Sequence, residues 1–202
     1  MTVSYLVTIY LYLKMLKILD EFIFRFTAKR HLKVAVRERR FVTYKKAKTV
    51  FLLFESDYLE KNKEIRSIIQ SLQQDGKKVV AWGFLDKKNV TTSLMPDFRV
   101  LNQEQTNLLD IPKSMFLNEI EDLEFDLLID LTLQPIMPLQ YLALYAKASC
   151  KVGIRKSDFQ LYDFILDVDG LVSQKAEEGE QLDQTYLFNQ IIFYLKSIQT
   201  SD

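Results

Sequence analysis

Acidic side chains follow the apolar runs of this sequence, at the points where the strands of a predicted sheet end. In α/β proteins, ligand sites gather at the carboxyl ends of parallel strands. An acidic rim there could hold a divalent cation or a polyol, or supply a carboxylate base. The alternative is that these residues cap helices and solvate loops, which is their more common role. The rim consists of Glu55, Asp57, Asp86, Asp130, Asp167 and Asp169, together with Thr132 and Arg155.

Three residues of this rim are the candidate catalytic residues. We assign Asp57 as a base, Asp130 as an orienting carboxylate and Arg155 as an anion clamp. Asp130 is distinctive because it lies inside an apolar run. A carboxylate buried among apolar side chains needs a partner, and either Arg155 or Lys156, one strand further on, could supply it.

The motifs of nucleotide and metal sites are missing from the sequence. There is no G-x-G-x-x-G and no Walker A pattern, and the carboxylates of the turn Glu55-Ser56-Asp57 would repel a pyrophosphate. His31 is the one histidine and Cys150 the one cysteine. They cannot assemble a His/Cys metal site, and a single cysteine allows no internal disulfide. We therefore expect no cofactor and no metal ion.

Positive charge is concentrated near the N-terminus, although the net charge of the chain is zero. Residues 1–48 carry 12 Lys+Arg against 3 Asp+Glu, and residues 49–202 carry 15 against 24. This basic arm could bind an anionic membrane surface, nucleic-acid phosphates or an acidic partner. It could equally pack against its own acidic body or form a homodimer interface. The candidate anion-binding residues are Lys29, Arg30, Lys33, Arg37, Arg39 and Arg40.

The arm is predicted to be helical. Val3–Phe26 forms one helix, which is amphipathic beyond Leu13, and Ala28–Arg40 forms a second. The uncharged run Val3–Leu13 is too short to cross a bilayer, which takes about 20 apolar residues. The N-terminus also lacks the features of a secretory signal. Because Met15 is a second plausible start, the sequence leaves the true start codon open.

Beyond residue 48, strand and helix patterns alternate, which is typical of a parallel sheet with right-handed crossovers. We predict a Rossmann-like α/β domain at residues 49–202, with five or six mainly parallel strands in the order 3-2-1-4-5-6 and helices on both faces. The predicted strands are Thr49–Phe54, Lys78–Leu85, Phe98–Leu101, Phe125–Leu131, Cys150–Ile154 and Tyr162–Val168. The predicted helices are centred on Ile65–Leu72, Ser114–Asp122, Leu139–Ala146 and Leu182–Ile198.

Two resemblances add to this reading. The segment FDLLIDLTLQPIMPLQYLALYAKASCKVGIR (Phe125–Arg155) resembles the strand–helix–strand of the N-terminal half of heptosyltransferase-type glycosyltransferases, with Asp126, Asp130 and Gly153 in matching places. That resemblance implies glycosyl transfer. However, those enzymes bind the nucleotide sugar in a second domain, and this chain is too short to contain one.

The chain from Met15 onward resembles a family of small uncharacterised bacterial proteins of Bacteroidetes type, known as a domain of unknown function. The shared features are the basic N-terminal helix and the segments GKKVVAWGFLDKK, FDLLIDL, PLQYLA, KVGIR and YDFILDV. This resemblance implies a bacterial cytosolic protein and supplies no activity.

The leading functional hypothesis is a non-enzymatic binding or interaction module, located in the cytoplasm or peripherally at the inner membrane. The alternative is a small enzyme of sugar or nucleotide metabolism, similar to half of a glycosyltransferase, with its site at the strand ends. The sequence leaves open whether the protein is an enzyme. It also leaves open the ligand or substrate, the partner and the oligomeric state.

Overall fold

The computed structural model describes residues 2–34, 39–57, 60–87, 97–156, 159–168 and 182–198. These ranges contain a single sheet of six parallel strands in the order β3-β2-β1-β4-β5-β6. The predicted α/β class, strand order and parallel direction are confirmed. The strands are β1 (Thr49–Glu55), β2 (Lys78–Leu85), β3 (Arg99–Asn102), β4 (Glu124–Asp130), β5 (Lys147–Ile154) and β6 (Phe164–Leu166).

Helices cover both faces of the sheet, as predicted. Alternate side chains of β1 point to opposite faces, so Leu52 and Phe54 join the core beneath one helical layer, and Phe51 and Leu53 join the core beneath the other. The helices are α1 (Thr2–Val34), α2 (Glu60–Gln74), α3 (Ser114–Glu121), α4 (Met137–Tyr145) and α5 (Gln184–Ser197). Helices α2 and α5 cover the first face, and α1, α3 and α4 the second.

The prediction of two helices in the basic arm is wrong, because α1 runs unbroken through Thr27 to Val34. The reason is packing: Phe24 and Ala28, one turn apart, are both buried against the body and hold the helix across the expected break. The Phe24 ring meets the Tyr141 ring edge-on, with centroids 5.1 Å apart. Residues 35–38 of the predicted second helix lie outside the described ranges, and Arg39 and Arg40 are not helical.

The end of the basic arm is tied to the body by hydrogen bonds. The Arg40 amide donates to the carbonyl of Ser149 at 3.1 Å. The amides of Lys48 and Thr49 both donate to the Asp126 carboxylate, at 2.6 and 2.9 Å. Burial alone would raise the pKa of Asp126, but these hydrogen bonds outweigh it and hold the pKa below its usual value. Part of the arm therefore packs against its own body; the domain boundary at residue 48 stays a prediction.

Gly76 and Asp57 define the two ends of α2. Gly76 follows α2 with a φ of 75°, the left-handed conformation expected after a helix. At the other end of α2, the Asp57 carboxylate accepts a hydrogen bond from the Lys61 amide at 3.0 Å. Asp57 thus has a capping role at the start of α2.

Gly83 is the glycine of the sheet at which a larger side chain should be most harmful. It pairs with Phe54 across β1 and β2, and a Cβ at this position would overlap the Phe54 ring. We expect Gly83→Ala to lower the free energy of unfolding by about 1–3 kcal/mol. In a double-mutant cycle measured by urea denaturation, Phe54→Leu should cost less in the Gly83→Ala background than alone. Strictly additive losses would contradict this contact.

Candidate functional site

A pocket of about 420 Å³ opens at the carboxyl edge of the sheet. Its floor is formed by the ends of β1 and β2, and one wall by the loop between β4 and α4. The polar face of α1 closes the other side. The lining residues are Asp20, Glu21, Phe24, Arg25, Glu55, Ser56, Phe84, Asp86, Asp110, Pro135, Ile136, Met137, Pro138, Gln140 and Lys156. The volume lies within the range of small-molecule sites, about 300–1,000 Å³.

Most charges of this lining have a partner within the protein. Glu21 forms an ion pair with Arg25 at 2.8 Å, one turn away on α1. Glu55 forms an ion pair with Lys61 of α2, also at 2.8 Å. The Asp86 carboxylate accepts a hydrogen bond from the Gln103 amide. The charges of Glu21 and Glu55 are therefore compensated, and Asp86 has a neutral hydrogen-bond donor.

Asp20 is different. It is 8% exposed, and its Oδ1 atom has no hydrogen-bond partner within the part of the chain that the structure describes. Burial raises the pKa of Asp20 above its usual value. A desolvated carboxylate oxygen without a donor is unfavourable, and the residue that carries it is one of those lining the pocket.

A buried polar cluster lies behind the pocket, at the end of β4. Asp130 is fully buried, and its Oδ2 atom is 2.5 Å from the Lys156 ammonium. Its Oδ1 atom accepts hydrogen bonds from the amide and the hydroxyl of Thr132, at 2.8 and 2.7 Å. The Tyr162 hydroxyl donates to the same carboxylate. The Asp130 carboxylate thus has donors on both oxygens, as a buried charge requires.

Burial shifts the pKa values of two residues in this cluster. Burial lowers the pKa of Lys156, while Asp130 acts in the opposite direction. Burial raises the pKa of Tyr162, and Asp130 adds to that rise. The ring of Tyr162 packs directly over Gly153 of β5, where a Cβ would lie 3.0 Å from the ring. Lys156 also lines the pocket and therefore connects this cluster to the cavity.

The three candidate catalytic residues differ in burial, and their assigned roles stay predictions. Asp57 and Arg155 are exposed, Asp130 is fully buried, and none of the three lines the pocket. Of the two partners expected for Asp130, Lys156 is the one that binds it. Two other members of the acidic rim do line the pocket, namely Glu55 and Asp86. Asp167 is exposed, and Asp169 lies outside the described residues.

The candidate anion-binding residues are distributed over α1 and the segment after it. Five of them are exposed: Lys29, Arg30, Lys33, Arg39 and Arg40. Arg37 lies outside the described residues. The Arg39 guanidinium is 4.0 Å from the Asp163 carboxylate, and for the set as a whole anion binding stays a prediction.

Sequence reasoning did not identify Asp20 as part of a site, and it did not predict that Tyr162 binds Asp130. The signal for Asp20 was its place in a helix: it lies four residues before Phe24 and eight before Ala28, so all three share one face. The signal for Tyr162 was weaker, because nothing local shows that its hydroxyl reaches a carboxylate 32 residues away.

No group of three His, Cys, Asp or Glu side chains within the described ranges is arranged to hold a metal ion. Among the described residues, the pocket offers the buried Asp20 carboxylate with no donor on its Oδ1 atom, ion-paired charges around it and apolar walls. Such a lining is suited to holding a small polar molecule with a cationic group.

An open parallel sheet, with helices on both faces and a pocket at its carboxyl edge, defines a Rossmann-like α/β protein. The chain belongs to the family of unknown function DUF6913, whose model matches residues 21–198. The predicted membership of a domain-of-unknown-function family is thus confirmed. No curated protein matches the chain. The bacterial origin and the resemblance to heptosyltransferases stay predictions.

The buried pair of Asp130 and Lys156 leads to a stability prediction. Lys156→Met should lower the free energy of unfolding by about 3–5 kcal/mol, because it leaves a buried carboxylate unpaired. The neighbouring substitution Arg155→Met is the matched control and should change it by less than about 0.5 kcal/mol, since Arg155 is exposed. Urea denaturation measures both values.

A double variant tests whether the loss comes from the unpaired charge. Combining Asp130→Asn with Lys156→Met removes both charges, so the double variant should be more stable than Lys156→Met alone. Equal losses for Lys156→Met and Arg155→Met would show that the ion pair contributes nothing.

Proposed function

We propose that this protein is a non-enzymatic binding module whose pocket holds a small, hydroxylated molecule carrying an ammonium group. The observation that carries this proposal is the buried Asp20 carboxylate, which faces the pocket and has an oxygen without a donor in the described part of the chain. A ligand ammonium in the pocket would bring a positive charge and a hydrogen-bond donor to this carboxylate. Charge-assisted hydrogen bonds of this kind are among the stronger polar contacts in proteins.

The rest of the lining supports the same ligand class. Ser56 and Gln140 offer a hydroxyl and an amide for ligand hydroxyl groups, and Phe24 and Phe84 provide apolar contact. The charges of Glu21 and Glu55 are balanced by Arg25 and Lys61, whereas Asp86, hydrogen-bonded to the neutral Gln103 amide, adds negative potential to that of Asp20. A ligand with a strongly anionic group would meet this potential unfavourably, apart from contacts with Arg25 or Lys156.

Binding is favoured over catalysis because the acid–base groups of the buried cluster beside the pocket contact each other, which leaves Asp20 without an acid–base partner among them. The Lys156 ammonium contacts the Asp130 carboxylate and the Thr132 hydroxyl, and the Tyr162 hydroxyl is turned to the same carboxylate. The described lining includes neither a histidine nor a cysteine.

The alternative is a small enzyme of sugar or nucleotide metabolism, and one observation favours it. Lys156 is among the lining residues, and its ammonium is paired with Asp130 in the buried cluster. This side chain therefore joins the Asp130 carboxylate to the wall of the pocket. Turnover of a bound sugar that Lys156→Met abolishes, with substrate affinity unchanged, would support catalysis. We place the protein in the cytoplasm under either function.

Pairs of probes that differ in charge test the binding proposal. Glucosamine and ethanolamine carry an ammonium group, and glucose and ethylene glycol are their neutral counterparts. We expect the two amines to raise the thermal unfolding midpoint, since a ligand at a hundredfold excess over its Kd stabilises by about 2.7 kcal/mol. Asp20→Asn should weaken amine binding by about tenfold to a hundredfold in titration calorimetry. Equal binding of the neutral counterparts, or no binding by either amine, would refute the proposal.

Without a ligand, the buried Asp20 charge should lower the free energy of unfolding. At pH 7 we expect Asp20→Asn to raise the free energy of unfolding by about 1 kcal/mol, because it removes a desolvated charge. Glu21→Gln is the matched control on the same helix turn. It should not stabilise the protein, since Glu21 is exposed and paired with Arg25.

The gain in the free energy of unfolding from Asp20→Asn should become smaller as the pH falls. Burial raises the pKa of Asp20 above 3.8, its ordinary value, so the folded state holds this proton more tightly than the unfolded state. The destabilisation is therefore absent below pH 3.8 and grows as the pH rises through the folded pKa. Denaturation at a series of pH values should show the advantage shrinking on acidification, and an advantage that grows in acid would contradict this explanation.

A further inference from the structure

The outer face of α1 carries a stripe of large apolar side chains in contact with solvent. Phe22 is 68% exposed, Phe26 is 64% exposed and Ile18 is 63% exposed. Spacings of three and four residues place the whole stripe on one side of the helix. The outer stripe consists of Met15, Ile18, Leu19, Phe22 and Phe26.

This exposure does not come from a helix that stands away from the protein. The opposite side of α1 is seated on the body through Phe24 and Ala28, which are 2% and 0% exposed. The helix is therefore held in place, and within the described part of the chain no other element covers its outer stripe. Contiguous exposed apolar surface of this kind marks an interaction site in soluble domains.

Positive charge continues the outer stripe toward the end of the helix. Lys29 and Lys33 follow Phe22 and Phe26 by seven residues each, so they lie on the same side of α1. Both are exposed, as is Arg30 beside them. The outer side of the helix thus changes from apolar to cationic along its length, without an acidic residue between Phe22 and Lys33.

We propose that α1 docks the protein on an anionic lipid bilayer, lying in the plane of the interface with its outer stripe among the acyl chains. A bilayer surface offers an apolar layer for the stripe and acidic headgroups for Lys29, Arg30 and Lys33 side by side. None of the helices within the described residues is long and apolar enough to cross a membrane. The helix therefore lies on the membrane and does not traverse it.

Other occupants match only part of this surface. A second copy of the chain packed in parallel would place Lys29 and Lys33 against the same lysines of the other copy. An antiparallel copy would place them against apolar side chains. Neither arrangement offers the lysines an anionic partner. Nucleic-acid phosphates would satisfy the lysines but not Phe22 and Phe26. Helix α1 also begins, from Thr2 to Leu13, with a stretch of sequence that has no charged residue, which extends the apolar character of the same helix.

Vesicle flotation of the full-length chain tests the proposal. We expect the protein to float with vesicles of phosphatidylcholine and phosphatidylserine, and much less with phosphatidylcholine alone. Replacing Lys29, Arg30 and Lys33 by Gln should lower the partition coefficient by about a hundredfold, at roughly a factor of five per charge. Phe22→Ser with Phe26→Ser should lower it by about a hundredfold as well, because two buried rings are lost.

Matched controls exist on other surfaces of the molecule. Phe193 on α5 is 63% exposed and Met115 on α3 is 64% exposed, so Phe193→Ser with Met115→Ser removes a similar exposed apolar area. Lys45→Gln with Lys46→Gln removes exposed charge away from α1. Both control variants should float like the unaltered protein. Circular dichroism and the urea midpoint confirm that every variant is folded.

Three results would overturn the proposal. The first is equal flotation on neutral and anionic vesicles, and the second is an unchanged partition coefficient when the outer stripe or its lysines are replaced. The third is a different occupant in the absence of vesicle binding. It could be a dimer, detected by light scattering, that Phe22→Ser with Phe26→Ser dissociates. It could also be polyuridylic acid, bound in a way that needs the lysines but not the two phenylalanine rings.

Discussion

A negative charge buried at the end of a central strand determines how the carboxyl edge of this protein is built. Asp130 ends β4, in register with Leu53 of β1, and has no exposed surface. Such a charge is tolerated only with donors around it, and Lys156, Thr132 and Tyr162 supply them from the chain that follows β4 and β5. The loops at this edge are thereby drawn together, and the pocket forms beside them.

A large part of this fold could be predicted from the sequence. Apolar runs such as Val50–Phe54 are buried on both faces, so their strands were identifiable, and the alternation with amphipathic helices fixed the parallel order. The site was predictable only in part. That Asp130 needs a cationic partner followed from its apolar surroundings. Which of two adjacent residues turns inward depends on the backbone after β5, and the sequence pattern contains no information on that.

Helix α1 shows why the remainder could not be predicted. An amphipathic helix in a globular protein ordinarily turns its apolar stripe to the core and its charged side to water. In the structure Phe24 and Ala28 are buried on the inner side, where Leu32 packs against the same core. Asp20 lines a cavity, and Phe22 and Phe26 are exposed. A periodic pattern identifies the faces of a helix, but the surface that each face meets is decided by the tertiary arrangement.

Two opposite faces of helix α1 have different surroundings, namely the pocket on one side and solvent on the other. Asp20 and Phe24 line the cavity, and Phe22 and Phe26 project outward from the same two turns. A helix moves largely as a rigid body. A contact that restrains the motion of one face therefore also restrains the motion of the other. If a ligand fills the pocket and the outer stripe docks on a bilayer, both events restrain the same two turns of α1, and any coupling between the two affinities must be reciprocal.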